Sequence, residues 1–450
     1  MTLPPKPESR PAKVSLWRYA RLFRQDILSA QPARLYRAWM AEFKTPFFRS
    51  YLINQPDLIQ TVLKTRPDEY PKSDRIGEGL RPLLGNSVFL TNGAIWKRQR
   101  RIIDPAFEGG RLRETFPAIW DAAEAAAARL APHDGAPLEV EAQTSHAAAD
   151  VIFRTLFSIP IEHHMAREVF DEFKTYQRSQ PILNIAAFVP LPRWLPRLFR
   201  RDTKRSAAKI RRLITALTAE RMEAIKAGTA PDDLATKIMT TPDPEDGSTF
   251  TTDEMVDQVA IFFLAGHETS ASALAWAMYL VATHPDWQDR LAEEAQAIDQ
   301  CDFAVMGKLR QSRDVFREAL RLYPPVPMMV REASCPATFR DRTVVRGAQV
   351  VISPWHLHRH ERLWDNPDGF DPARWHSENG KKCQREAYLP FSAGARVCPG
   401  AGFAMVEGPL ILSRIMRDFR IEVVGEKPPV PVAHLTVRSK DGILLRFVRR

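Results

Sequence analysis

From Thr251 to Pro285 the chain runs through a helical pattern with no breaker until its end. Thr251 followed three residues later by Glu254 is a capping box, and Pro285 stops the pattern, so the spacing predicts a helix of about 33 residues, near 50 Å at 1.5 Å per residue. Val259–Ala265 and Ala271–Ala282 give it almost the apolarity of a membrane span. His267 and Glu268 interrupt the centre, where a charge in lipid costs several kcal/mol. The expectation is a helix buried in protein, with the rest of the chain built around it.

The surrounding sequence supports such an envelope. Residues 110 to 285 are mostly helical in pattern, with alanine-rich faces such as DAAEAAAARL and proline-bounded loops such as FVPLPRWLP. FFRSYLI (47–53) reads as a strand stopped by Asn54 and Pro56. After Pro324 the texture turns β-branched: TVVRGAQVVIS (343–353) has a turn glycine, and HLTVRSKDGILLRFV (434–448) reads as a hairpin turning at Asp441-Gly442. There is no repeat or Gly/Ser linker. The expected fold is mainly α with a smaller β portion: a flexible arm over 1–20, then one large domain over 21–450.

The N-terminal MTLPPKPESRPAKVSLWRY is prolyl and charged where a membrane anchor needs about 20 apolar residues, so membrane contact is expected to be peripheral at most. Cys301, Cys335, Cys383 and Cys398 are far apart, with no CxxC pair and no secretory leader, which argues for a reducing cytoplasm over a disulfide framework or zinc ribbon. The net charge of +10 comes without basic-aromatic interleaving or a recognition-helix spacing. An acidic protein partner explains it better than nucleic acid.

Two places invite chemistry. At the centre of the long helix stands AGHETS, residues 265–270. Gly266 costs a helix interior roughly 1 kcal/mol against alanine, which suggests a close approach to the backbone. Thr269 can turn its hydroxyl back to the Ala265 carbonyl and bend the helix, and Glu268 stands beside it. The group is either a kinked core helix with one satisfied acid or a proton-delivery pair beside a gap.

The second is FSAGARVCPG, residues 391–400. Gly394 and Gly400 allow backbone conformations and approaches that side chains would block, and Pro399 suits the first position of a following helix. Cys398 at such a helix start would be held as thiolate, able to ligate iron. A nucleophilic protease would want the same placement, but no histidine partner is suggested. The other three cysteines read as small buried hydrophobes.

FSAGARVCPG matches Phe-x-x-Gly-x-Arg-x-Cys-x-Gly, and in this it resembles the haem-binding signature of the cytochrome P-450 monooxygenases. AGHETS is similar to that family's oxygen-activating helix motif, EALRLYPP contains its Glu-x-x-Arg, FDPARW resembles the segment bearing a second arginine, and NGAIWKRQRR its early tryptophan and arginine helix. The resemblance implies the cytochrome P-450 fold, with the long central helix over haem b (iron protoporphyrin IX). Cys398 becomes the axial thiolate and the metal ligand, favouring O–O cleavage. Phe391, Gly394 and Gly400 belong to its signature loop, and Ala265 and Gly266 to the haem-facing helix. Arg396, Trp96, Arg100 and Arg331 would pair with the propionates. Glu318 and Arg321, together with Arg374, would form a buried ion network.

The resemblance further implies insertion of one atom of O2 into an apolar lipid, terpenoid, carotenoid or steroid-like molecule held near Phe262, Ala265, Met328 and Met329, with Thr269 and Glu268 supplying protons. A haem-thiolate isomerase, dehydratase or peroxygenase, or a non-catalytic gas sensor, would share Cys398; Glu268 and Thr269 together disfavour these. The chain has no nucleotide fingerprint or ferredoxin cysteine spacing. Electrons would come from a separate ferredoxin or flavoprotein supplied by NAD(P)H, steered by Lys97, Arg98, Arg101, Lys381 and Lys382. Pro399 lacks the N–H many members have beside the cysteine, which would leave the thiolate more electron-rich. His356, His358 and His360 in WHLHRH alternate as ligands on one face of a strand might, though the family's loop there needs no metal. PLPRWLPRLFRR (190–201) reads as a loop capping the substrate entrance, or as a membrane-interface segment.

Overall fold

Reciprocal hydrogen bonds begin the long helix: the Thr251 N–H donates to the Glu254 carboxylate at 2.9 Å, and the Glu254 N–H to the Thr251 hydroxyl at 3.2 Å. The helix runs Thr252–Ala282 in a computed structural model that describes residues 3–44, 48–179, 201–298, 300–433 and 435–450. Among the described residues no helix is long and apolar enough to cross a membrane. The apolar run is instead packed in protein, with Leu274, Trp276 and Leu280 fully buried.

The chain divides into two compact units, one comprising residues 1–71, 123–145 and 269–450, the other residues 72–122 and 146–268. In the first, a four-stranded sheet runs Met40–Lys44, Arg49–Ile53, Gln349–Ile352, Met329–Glu332. Arg49–Ile53 and Gln349–Ile352 pair parallel, the outer pairs antiparallel. Tyr51, Ile53, Val350 and Ile352 alternate inward onto a core that includes Trp364 and Trp375, each buried aliphatic side chain contributing about 1.5–3 kcal/mol. Helices Arg310–Leu322 and Ala401–Asp418 pack together so closely that a Cβ on Gly408 would stand 2.2 Å from the Phe316 ring. Within the expected N-terminal arm, Ser15 caps a helix Leu16–Gln25.

The second unit is helical. Gly93–Ile103, His164–Ser179 and Arg201–Lys226 are its main helices besides the first half of the long one. Arg211 pairs with Asp257 at 2.7 Å, and Asp257 accepts from the Asn86 N–H at 2.7 Å.

One local expectation is corrected. The turn at Asp441-Gly442 exists, with Gly442 at φ +81° and the Ser439 hydroxyl donating to the Gly442 carbonyl at 2.7 Å, but its arms do not form a hairpin. Val437–Ser439 pairs with Pro431–Ala433, and Leu444–Arg449 with Phe419–Val423 and Pro137–Glu139. A turn signal reports chain reversal, whereas strand pairing is decided by packing against neighbours distant in sequence. WHLHRH, weighed in the sequence as a strand face or a loop, is no strand: Ser353 accepts from the His356 N–H and caps a helical turn, Pro354–Leu357. The strands expected in TVVRGAQVVIS are present, Arg342–Val344 and Gln349–Ile352, around Gly347 at φ +81°.

Candidate active site

In the first unit the cysteine loop is held by its own backbone. The Cys398 N–H donates to the Phe391 carbonyl at 2.9 Å and the Ala401 N–H to the Cys398 carbonyl at 3.3 Å. Phe391 is half-buried and the Cys398 side chain exposed. Gly394 sits at φ +70°, and a Cβ there would meet the Leu63 carbonyl oxygen at 2.0 Å. Only glycine satisfies both demands. At Gly400 the backbone is ordinary (φ −80°), and a Cβ would stand 4.0 Å from the Cys398 Sγ. The helix that follows is Ala401–Asp418, capped by Gly400. Pro399 is therefore not its first residue but the second residue of the Cys398–Ala401 turn, a position its fixed φ also suits.

Arg331, on the strand Met329–Glu332, is buried. Burial and then the neighbouring charge of Arg396 lower its pKa to about 10. Its Nη1 donates to the Val330 carbonyl at 3.2 Å, and among the described residues no carboxylate pairs with it. A buried cation beside a second, half-buried one calls for an anion. This, with an exposed thiol in a glycine-pinned loop of the same unit, fits the thiolate and propionate needs of a haem.

The expected ion network is present and buried. Arg321 grips Glu318 with two bonds, 2.8 and 3.0 Å, and Arg374 Nε reaches the same carboxylate at 3.0 Å. The remaining guanidinium hydrogens go to carbonyls: Arg321 to His358, Pro367 and Gly369, Arg374 to Asp365, Asn366 and Gly369. Burial pushes Glu318 up, yet Arg321 and Arg374 hold it below the ordinary carboxylate range. His356 meets the Ser353 hydroxyl at 2.8 Å, His358 Nε2 accepts from the Leu389 N–H at 2.8 Å, and His360 stacks on Trp39. Met328 and Met329 are half-buried, Met329 packing on the sheet core.

The second unit places Trp96 and Arg100 four residues apart on Gly93–Ile103, hence on one helix face. Arg100 Nε pairs with Asp104 at 2.8 Å, a partner that sequence reasoning missed although the i, i+4 spacing was there to read. Phe262 is half-buried with its ring 5.6 Å from Phe107. A Cβ on Gly266 would lie 2.8 Å from Ile152 Cδ1, so the close approach expected at this glycine comes from a side chain. Along the long helix, Phe262, Ala265, Gly266 and Thr269 are accessible while Ile261, Phe263, Leu264, His267, Glu268 and Ser270 are buried. That i, i+3, i+4, i+7 stripe is one face. Glu268 is off it.

Of the five cations expected to steer a partner, Arg98 is engaged by Glu254 at 2.8 Å and Arg101 by Asp243 at 2.6 Å, and Lys381 lies 3.5 Å from Glu378. The 190–201 segment lies outside the described residues except Arg201, which opens Arg201–Lys226. Glu407, a buried carboxyl on the helix after the cysteine loop, was also missed; its only signal is one acid in the apolar run FAMVEGPLIL.

The family model described as Cytochrome P450 matches residues 36–446. The chain is 32% identical over 387 residues to the cyclooctat-9-en-7-ol 5-monooxygenase of Streptomyces melanosporofaciens (84% of this chain, 81% of that protein). It is 31% identical to the cyclooctatin synthase of the same organism (87% and 84%) and 30% identical to cytochrome P450 4A14 of Rattus norvegicus (91% and 82%). The crystal structure of the cytochrome P450DA heme domain superposes with a TM-score of 0.81 at 23% identity, over 100% of this chain and 98% of that one, a likeness of fold.

Proposed function

Because the chain belongs to the cytochrome P450 family and is a monooxygenase that binds haem b through a cysteine thiolate, we propose that Cys398 is that thiolate and that residues 21–450 act as one catalytic domain. The reaction is the insertion of one atom of O2 into a C–H or C=C group of an apolar substrate, with electrons from a separate ferredoxin or flavoprotein. The names of two relatives, one a cyclooctat-9-en-7-ol monooxygenase and one a cyclooctatin synthase, support a ring-containing substrate within the lipid, terpenoid, carotenoid or steroid-like range. The observation that carries the assignment of the site is the Cys398 loop, its thiol exposed and its backbone pinned where Gly394 meets Leu63.

Bound haem supplies the one-electron chemistry and O2 activation that no side chain provides. The protein's part is positional. Arg331 and Arg396 hold propionate, and Trp96 and Arg100 serve the same group, Arg100 while paired to Asp104. The Glu318, Arg321 and Arg374 network holds the 358–371 backbone through its carbonyls. Phe262, Ala265, Met328 and Met329 bind apolar substrate and exclude water. The Thr269 hydroxyl, on the accessible face, presents a proton to O2, and Glu268 resupplies it.

Turnover under 18O2 with NADPH, a ferredoxin and its reductase, on substrates first selected by a low-spin to high-spin change, tests the reading. One labelled oxygen per product supports it. Unlabelled product formed without NADPH consumption supports an isomerase, dehydratase or peroxygenase instead.

A further inference from the structure

Beside the cysteine loop, within the first unit, lies a recess of about 450 Å³, a size that suits a small molecule. Its floor is apolar. Ile59, Leu63 and Leu389 are buried there, and Ala393, five residues before Cys398, is half-buried. Leu63 is also the residue whose carbonyl stands against Gly394. The floor is therefore shared with the loop that carries the proposed thiolate.

The rim is cationic. Lys64, Arg340 and Arg385 line it, all exposed, and among the described residues none of the three pairs with a carboxylate. Cations close to them in sequence differ: Arg66 pairs with Glu69 at 2.6 Å, Arg342 with Asp341 at 3.5 Å and Lys381 with Glu378 at 3.5 Å. Asp57 and Glu386 also line the recess, but the three unpaired cations outnumber them.

Arg340 holds its place against the preference of its backbone. It is the first residue of the two-residue loop between Ala337–Phe339 and Arg342–Val344, and its φ is +55°. A positive φ at that position usually falls to glycine, asparagine or aspartate. Glycine would relieve the backbone but lose the guanidinium, whose Nη1 donates at 2.8 Å to the side-chain oxygen of Gln55, another lining residue. A strained backbone that keeps an uncompensated cation at the mouth of an apolar-floored cavity is the pattern of a binding site.

Two guanidinium forks and an ammonium suit a carboxylate, and the floor suits a hydrocarbon body attached to it. We propose that the recess is an effector site for an amphipathic organic anion, a carboxylate on an apolar ring or chain. Negative charge beside the cysteine loop stabilises ferric over ferrous haem, so an occupied recess lowers the midpoint potential. That effect rests on Cys398 being the haem ligand, whereas the binding itself does not.

Calorimetric titration of the haem-bound protein with 2-naphthoate and with decanoate reads the binding. Arg340→Gln and Arg385→Gln should each weaken it by on the order of 10-fold, as should replacing 2-naphthoate by the neutral 2-naphthylmethanol. Asp57→Asn should tighten it by roughly 2- to 5-fold, a gain that damage to the fold would not produce. All these positions are exposed, and melting temperatures check that the variants are folded. Redox titration should give a lower midpoint potential with saturating carboxylate in wild type and a smaller shift at the same concentration in Arg385→Gln. The proposal is overturned if neither carboxylate binds, or if the rim variants bind as wild type does. Binding without any change in potential overturns the effector role. A wild type whose reduced carbon monoxide spectrum lacks the thiolate band overturns the Cys398 reading instead, and the calorimetry still reports on the recess.

Discussion

Arg396 is the charged neighbour of buried Arg331, and it adds to burial in drawing the Arg331 pKa down to about 10. Like charges in a buried setting repel until an anion arrives. Replacing Arg331 by Gln removes a charge-assisted bond worth about 1.5–3 kcal/mol, so haem loss from the holoprotein should accelerate roughly 10- to 100-fold, followed as transfer to an acceptor apoprotein. An unchanged rate removes Arg331 from the haem site.

Glu318 is the hub on which two buried guanidinium groups converge. Glu318→Gln keeps its shape but leaves both cations uncompensated, at a cost of about 3–5 kcal/mol. Arg321→Lys should also destabilise, because an ammonium cannot replace the fork that reaches Glu318 and three carbonyls at once. Denaturant unfolding measures both. Near-wild-type midpoints would mean the network is dispensable.

How far all this could be read beforehand depended on whether a signal was local. The capping box at Thr251 and Glu254, the glycine at 394 and the Glu318, Arg321 pair were legible because each is set by residues within a turn or two. The partner of Leu444–Arg449 was not, since it pairs with strands near 138 and 421. Nor was Glu407: an isolated acid in an apolar helix does not announce a hydroxyl 137 positions away. The alternation of WHLHRH suggested a strand, yet the Ser353 cap and Pro354 make a helical turn.

The buried histidines predict acid sensitivity. Burial, then the charge of Arg359, lowers His356 to about 3; burial, then Arg321, lowers His358 to about 3. Both folded values lie below the unfolded value of about 6.5, so the unfolded chain takes up these protons first. Their contribution is complete above about 6.5 and lost as pH falls towards 3, by up to about 1.4 kcal/mol per histidine per pH unit. Melting temperature against pH should fall less steeply in His358→Gln than in wild type; parallel curves would contradict this.

Thr269 lies on the accessible stripe of the long helix. Thr269→Ala should therefore leave the substrate-induced spin change intact while lowering product per NADPH by on the order of 100-fold and diverting reduced oxygen to peroxide. A peroxygenase or isomerase would retain product formation after the same change. Peroxide and product assays on one sample separate the two outcomes.

The carbon monoxide spectrum of the reduced, haem-loaded protein asks most directly whether the Cys398 sulfur is bonded to haem iron. Wild type should show the red-shifted band of thiolate ligation, and Cys398→Ser should lose it while Cys301→Ser, Cys335→Ser and Cys383→Ser keep it. A histidine-type band in wild type, or a thiolate band that survives Cys398→Ser, would contradict the assignment.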